Sequence, residues 1–168
     1  GGDYPTMFQN WLTDWKVHPY RIFAGEFPDS ADQHPVWVAT GSHRSVYENE
    51  GWISQAKQFI REIYRGGQHY IGVCFGHQLL AEALGGKVEK SDRGWCVGVH
   101  TFQLGRTKPW MEPFRETVNL LMMCQDQVVQ LPPNAEVLAS AEKCPVGMFK
   151  VGDTMFGVQA HPEFSKAY

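Results

Sequence analysis

The chain has 168 residues, 43% hydrophobic and 20% charged, which is the composition of a soluble globular protein long enough for one domain with a substantial core. A net charge of -3 gives no electrostatic case for nucleic acid, and no window approaches the apolar run that spans a bilayer. Gly1 to Phe8 lacks the basic start and apolar stretch of a signal peptide. The cysteines, at 74, 96, 124 and 144, show no paired spacing, which argues against a zinc site or a disulfide framework and fits a reducing cytoplasm.

Segment 4–15 places Phe8, Trp11, Leu12 and Trp15 at helical spacing, with Asp3 or Thr6 as N-cap, and the aromatics read as a core face. Tyr20 to Ala24 reads as a short strand, and Pro28 to Asp32 as a turn-rich loop. Val36 to Ala39 reads as a buried strand running straight into Thr40-Gly41-Ser42. Trp52 to Arg65 reads as a helix with Ile53, Ala56, Ile60 and Ile63 or Tyr64 on one face, ended by Gly66-Gly67. A strand ending at Val73 and a helix from Gln78 to Leu84, stopped by Gly85-Gly86, follow.

The second half is strand-rich. Segments 87–89, 96–104, 119–123, 136–140, 146–151 and 154–160 read as strands, with one short helix near 113–118. Alternation of strand and helix in the first half implies an α/β fold with a mainly parallel sheet, to which the later strands add antiparallel pieces. No repeat or domain linker is visible, so residues 1–168 read as a single domain. Sheets of this kind normally begin with an interior strand. A chain that opens on a helix is therefore expected to lack its first strand, or to be a fragment.

The most informative stretch is Gly72-Val73-Cys74-Phe75-Gly76-His77-Gln78. An apolar strand leads into it and a helix leads out, with a cysteine at the apex and glycines two residues to either side. This is the cysteine version of a nucleophile elbow. The apex backbone is strained, and side chains at the flanking positions would collide with the neighbouring strand and helix. The helix N-terminus is expected to favour the thiolate. Cys96, Cys124 and Cys144 read as packing residues. Cys74 and His77 form a C-x-x-H without a second half-site, so no metal is expected.

A thiol nucleophile needs a base, and the base an orienting group. His161-Pro162-Glu163 follows the last strand. Residues two apart in an extended segment point the same way, so Glu163 can hold the His161 ring while the other ring nitrogen faces the sulfur. Cys74, His161 and Glu163 thus form a candidate triad. The backbone N–H of Phe75 and that of Gly41 or Ser42 are candidate donors to an oxyanion.

G-V-C-F-G-H-Q with a distant H-P-E resembles the class I glutamine amidotransferases, particularly stand-alone members of that group. The resemblance runs from Asp3 to Phe164 and includes Thr40-Gly41-Ser42, Gly94-Trp95, Gln125-Asp126-Gln127-Val128 and Val158 to Phe164. It implies a flavodoxin-like α/β sheet, with Cys74 as nucleophile, His161 as acid/base and Glu163 as its partner. It implies that Gln78 helps hold a γ-glutamyl group and that Gly94 and Trp95 border the substrate. The pattern departs from the family at Cys124, where relatives usually carry a histidine, and in lacking the family's first strand and final helix.

The resemblance implies hydrolysis of glutamine to glutamate and ammonia through a cysteine thioester, with no cofactor. The ammonia acceptor would then lie on a synthetase partner or a missing segment. Hydrolysis of γ-glutamyl peptides by the same triad is the nearest rival. An α/β-hydrolase relative would instead set Asp126 or Asp153 against His161. A catalytically silent regulatory module of the same fold is the non-enzyme alternative.

Overall fold

The computed structural model describes residues 3–105 and 108–164. Helix α1 (Tyr4–Trp11) is followed by strand β1 (Val36–Ala39), helix α2 (Gly51–Gly66), strand β2 (His69–Val73) and helix α3 (Phe75–Ala83). Strands β3 (Lys87–Lys90), β4 (Cys96–Leu104), β5 (Thr117–Cys124), β6 (Asp126–Gln130), β7 (Ala135–Ala141), β8 (Cys144–Val151) and β9 (Met155–Val158) complete the chain. The main sheet has the order β1-β2-β9-β8-β7-β4-β5, and β3 pairs with β6 as a separate antiparallel ribbon.

Strands β1, β2 and β9 are mutually parallel, joined by the registers Ala39↔Gly72 and Val73↔Val158. Parallel neighbours need crossovers, which α2 supplies between β1 and β2. The rest of the sheet is antiparallel. That far half curls back: the N–H of His161, past β9, donates to the carbonyl of Leu121 in edge strand β5 at 2.8 Å.

Helix α2 buries Ile53, Ala56, Ile60 and Ile63, the stripe expected at 3.6-residue spacing. Gly67, with φ 75°, takes the left-handed conformation that ends it, where its N–H donates to the Tyr64 carbonyl at 3.3 Å. Lys57 pairs with Glu82 of α3, and Arg61 Nε donates to the Ala83 carbonyl at 2.8 Å, so α2 and α3 are pinned side by side. Their apolar faces share one core cluster with Trp37, Tyr70, Phe149 and Met155. A second cluster holds Phe8 of α1 together with Val73, Cys74, Phe102, Met122 and Val158.

Several expectations change. Asp3 does cap α1, accepting from Thr6 N at 3.1 Å, but the helix stops at Trp11 and only Phe8 of the four apolar residues is buried. Trp11 and Trp15 are 41% and 58% exposed, and Trp15 lies beyond the end of the helix, off the face its spacing predicts. Tyr20 to Ala24 is not a strand: Ile22–Ala24 forms a 3₁₀ turn, ended by Gly25 at φ 84°. The helix near 113–118 is absent, since β5 begins at Thr117. Strand β6 lay in a stretch not read as a strand. The last strand ends at Val158 and does not continue to Ala160.

Candidate active site

The three parallel strands end at one edge, and each is followed at once by a candidate residue. Gly41 comes two positions after β1, Cys74 directly after β2 and His161 three positions after β9. The carboxyl ends of parallel strands are where α/β sheets gather their sites.

Cys74 has φ 52° and ψ -101°, one of two non-glycine residues with positive φ among those described. Such strain in a non-glycine residue costs on the order of 1–3 kcal/mol and needs enforcement by its surroundings. The flanking glycines show how it is enforced. A β-carbon at Gly72 would stand 2.3 Å from the carbonyl oxygen of Gly76, and one at Gly76 would stand 2.4 Å from that of Ala39 in β1. Tyr70 of β2 donates its hydroxyl to the Gly76 carbonyl at 2.9 Å, and Gly76 N–H donates to Thr40 at 3.2 Å. Strand, helix and β1 therefore lock the turn from three sides.

The sulfur is nearly buried, and all four cysteines are free thiols. Burial pushes the Cys74 thiol up to about 12, with the Glu163 and Asp126 carboxylates adding to the rise. The backbone N–H of Phe75 and the side-chain amide of Gln159 work in the opposite direction. The expected thiolate preference at the helix N-terminus is thus overridden, because desolvation outweighs the dipole.

His161 and Glu163 meet through Nδ1 and Oε1 at 2.7 Å, both side chains being almost wholly buried. Their pairing does not come from strand alternation. Residues 161–164 form a turn, with Phe164 N–H donating to the His161 carbonyl at 3.4 Å. The Phe164 ring stacks on the imidazole at 4.1 Å with the planes 3° apart. A β-carbon at Gly41 would stand 3.2 Å from His161 Cε1 and 2.6 Å from the Tyr4 hydroxyl, so a larger residue there would have to push the Tyr4 ring and the imidazole aside. Among the described residues, His161 Nε2 has no hydrogen-bond partner and remains available on the open side.

The other expected site residues lie as follows. Ser42 Oγ accepts from Arg44 N at 3.1 Å, within its own loop. Gln78 is buried and donates through Nε2 to the Asp126 carbonyl at 2.8 Å and to Gln159 Oε1 at 3.1 Å. Gly94, at φ 78°, shapes the turn before β4, and Trp95 beside it is 63% exposed. Cys124 is buried at the end of β5, opposite Cys96 in β4, in the same core cluster as Cys74.

The acids of the hydrolase alternative are engaged elsewhere. Asp126 accepts from Ser45 Oγ, and from the Tyr47 hydroxyl at 2.9 Å, while Asp153 pairs with Lys150 at 3.1 Å. Among the described residues, no group of three or more His, Cys, Asp and Glu is placed to hold a metal ion.

Two residues at the site were not assigned from the sequence. Gln159, fully buried, donates Nε2 to Cys74 Sγ at 3.6 Å, and Phe164 stacks on His161. Both lie in the stretch Val158 to Phe164, but a polar residue after a strand carries no signal of its own. His77, one position before Gln78, is wholly buried against Phe149 at 4.9 Å. Its ring touches the backbone of Gly157 and Val146 without a well-aligned hydrogen bond, and burial holds its pKa down to about 4.

Comparison with known proteins agrees with this geometry. The family model for glutamine amidotransferase class-I matches residues 40–167. Gamma-glutamyl peptidases 3 and 4 of Arabidopsis thaliana are each 30% identical, over 88% and 98% of this chain. The chain spans 62% and 69% of their respective lengths. The glutamine-hydrolysing GMP synthase of Clostridium novyi (strain NT) is 34% identical over 97% of this chain and 31% of its own length. In fold, a glutamine amidotransferase from Thermotoga maritima superposes with a TM-score of 0.87 at 22% identity, covering 95% of this chain and 70% of its own. The family-model match over residues 40–167, a segment that contains Cys74, His161 and Glu163, places this chain in the class I glutamine amidotransferase family.

Proposed function

We propose that the site hydrolyses a γ-glutamyl amide through a Cys74 thioester. The observation that carries this reading is the buried His161–Glu163 pair beside the strained Cys74 elbow. His161 takes the thiol proton as Cys74 Sγ attacks the amide carbonyl, and passes it to the departing amine. The thioester is then attacked by a water that His161 deprotonates, giving glutamate and restoring the thiol. Glu163 on Nδ1 holds the ring so that Nε2 does this work. The N–H groups of Phe75 and of Gly41 or Ser42 are the proposed donors to the oxyanion. Gly94 and Trp95 are the proposed border of the substrate region.

Glutamine, releasing ammonia, is the first substrate to test, and the similarity to GMP synthases supports it. In that case a synthetase partner or further segment would take up the ammonia. The similarity to gamma-glutamyl peptidases supports a γ-glutamyl peptide equally. Steady-state assays with glutamine and with γ-glutamyl dipeptides separate the two. Hydrolysis of one or both is expected, with loss of turnover in Cys74→Ala; inactivity on both would contradict the reading, as would turnover surviving the substitution.

A further inference from the structure

Among the described residues, the Gln159 amide is the one side-chain hydrogen-bond donor on Cys74 Sγ, at 3.6 Å. Its orientation follows from a chain of partners. The backbone carbonyl of Asp126 can only accept, so the end of Gln78 that meets it at 2.8 Å must be the donor Nε2. The same nitrogen reaches Gln159 at 3.1 Å, so it meets the acceptor Oε1 there. That leaves Gln159 Nε2 for the sulfur. One carbonyl at the start of β6 thereby fixes two buried amides and points a donor at the nucleophile.

The sulfur needs such a donor. It is buried, and the carboxylates of Glu163 beyond β9 and Asp126 of β6 both disfavour a negative charge on it, as would ionisation of the neighbouring thiols Cys124 of β5 and Cys144 of β8. His161, held on Glu163, and the Tyr4 hydroxyl near Gly41 are further titratable side chains at this edge. The other donor to the sulfur is the backbone N–H of Phe75. Under the proposed mechanism that group turns to the oxyanion as the reaction proceeds. Gln159 supports the thiolate together with the His161 imidazolium formed by proton transfer, and it does so without ionising.

We propose that Gln159 stabilises and orients the Cys74 thiolate, and that Gln78 positions the Gln159 amide for this. The catalytic half of this inference rests on the function proposed above, but its test does not. The rate of alkylation of the Cys74 peptide is followed by mass spectrometry, without substrate, using iodoacetamide and a bulkier haloacetamide. Below the thiol pKa this rate follows the thiolate fraction. Gln159→Leu is expected to slow both reagents equally, about tenfold, which is one pH unit of thiol acidity. Gln78→Met is expected to slow both about threefold.

Unchanged alkylation in both variants overturns the inference. So does unequal slowing of the two reagents, which reports access. A measurement on the unsubstituted protein covers any variant that fails to fold: alkylating Cys74 should shift the side-chain amide NMR signal of Gln159, and an unmoved signal refutes the contact. Failure to hydrolyse any γ-glutamyl compound would instead sink the function and leave these results standing.

Discussion

Strands β1, β2 and β9 run parallel and finish at one edge, where Gly41, Cys74 and His161 lie. Strands β8, β7, β4 and β5 run antiparallel and carry the other three cysteines, at 96, 124 and 144. All four thiols are buried, and burial pushes Cys124 and Cys144 up just as it does Cys74. Neither residue type nor burial therefore distinguishes Cys74. The backbone does: a parallel strand feeding a tight turn holds Cys74 at φ 52° against the first turn of α3, whereas the other three sit in strands. The antiparallel half contributes differently, by curling so that Leu121 of β5 receives the N–H of His161. One half carries the proposed nucleophile and base, and the other fixes where the histidine stands.

Removing the link between ring and carboxylate should have the largest effect. Glu163→Gln keeps the size of the side chain but removes the charge and introduces an amide N–H that can face Nδ1 and favour the wrong ring tautomer. A loss of about 10²–10⁴ in kcat is expected, with little change in melting temperature. Steady-state kinetics and circular dichroism check this together, and a kcat within threefold of the parent would mean that the pair is structural.

Glycines in the two halves give the next contrast. Gly76→Ala drives a β-carbon to 2.4 Å from the backbone of β1, which cannot yield without opening the sheet. Destabilisation of about 3 kcal/mol or more is expected in urea unfolding. Gly98 of β4 has open space around it and φ 96°, so Gly98→Ala meets only backbone strain, of about 1–2 kcal/mol. Equal costs would erase the proposed difference between the halves.

His77 of α3 packs on Phe149 of β8 and so joins the two halves. Its folded pKa is about 4, below the ordinary 6.5, because burial disfavours the charged ring. Between these values the unfolded chain binds the extra proton, so the stability contributed by neutral His77 is lost as pH falls from about 6.5 to 4, by about 3 kcal/mol. His77→Phe should flatten that part of the stability–pH curve. An unchanged curve would place the acid sensitivity elsewhere.

The parts legible in the sequence are those whose signal is local. The α2 stripe follows from period, and the elbow follows from glycines that close approach makes obligatory. Cys74, His161 and Glu163 were identifiable as types at a spacing, although the histidine and glutamate meet across a turn and not along a strand. Trp15 misled because helical spacing continues past the point where α1 ends. Strand β6, Asp126–Gln130, has two apolar residues among polar ones and owes its conformation to pairing with β3. The role of Gln159 depends on partners 81 and 85 residues away in the chain, Gln78 and Cys74, which no local pattern reveals.

The central claim is that one thiol of four forms a covalent γ-glutamyl intermediate. Its most direct test is incubation with a glutamine-mimicking electrophile, followed by intact-mass and peptide mass spectrometry. The account predicts one adduct per chain, on the peptide containing Cys74, with excess γ-glutamyl substrate protecting it. An adduct on Cys96, Cys124 or Cys144, or continued hydrolysis by the fully labelled protein, would contradict it.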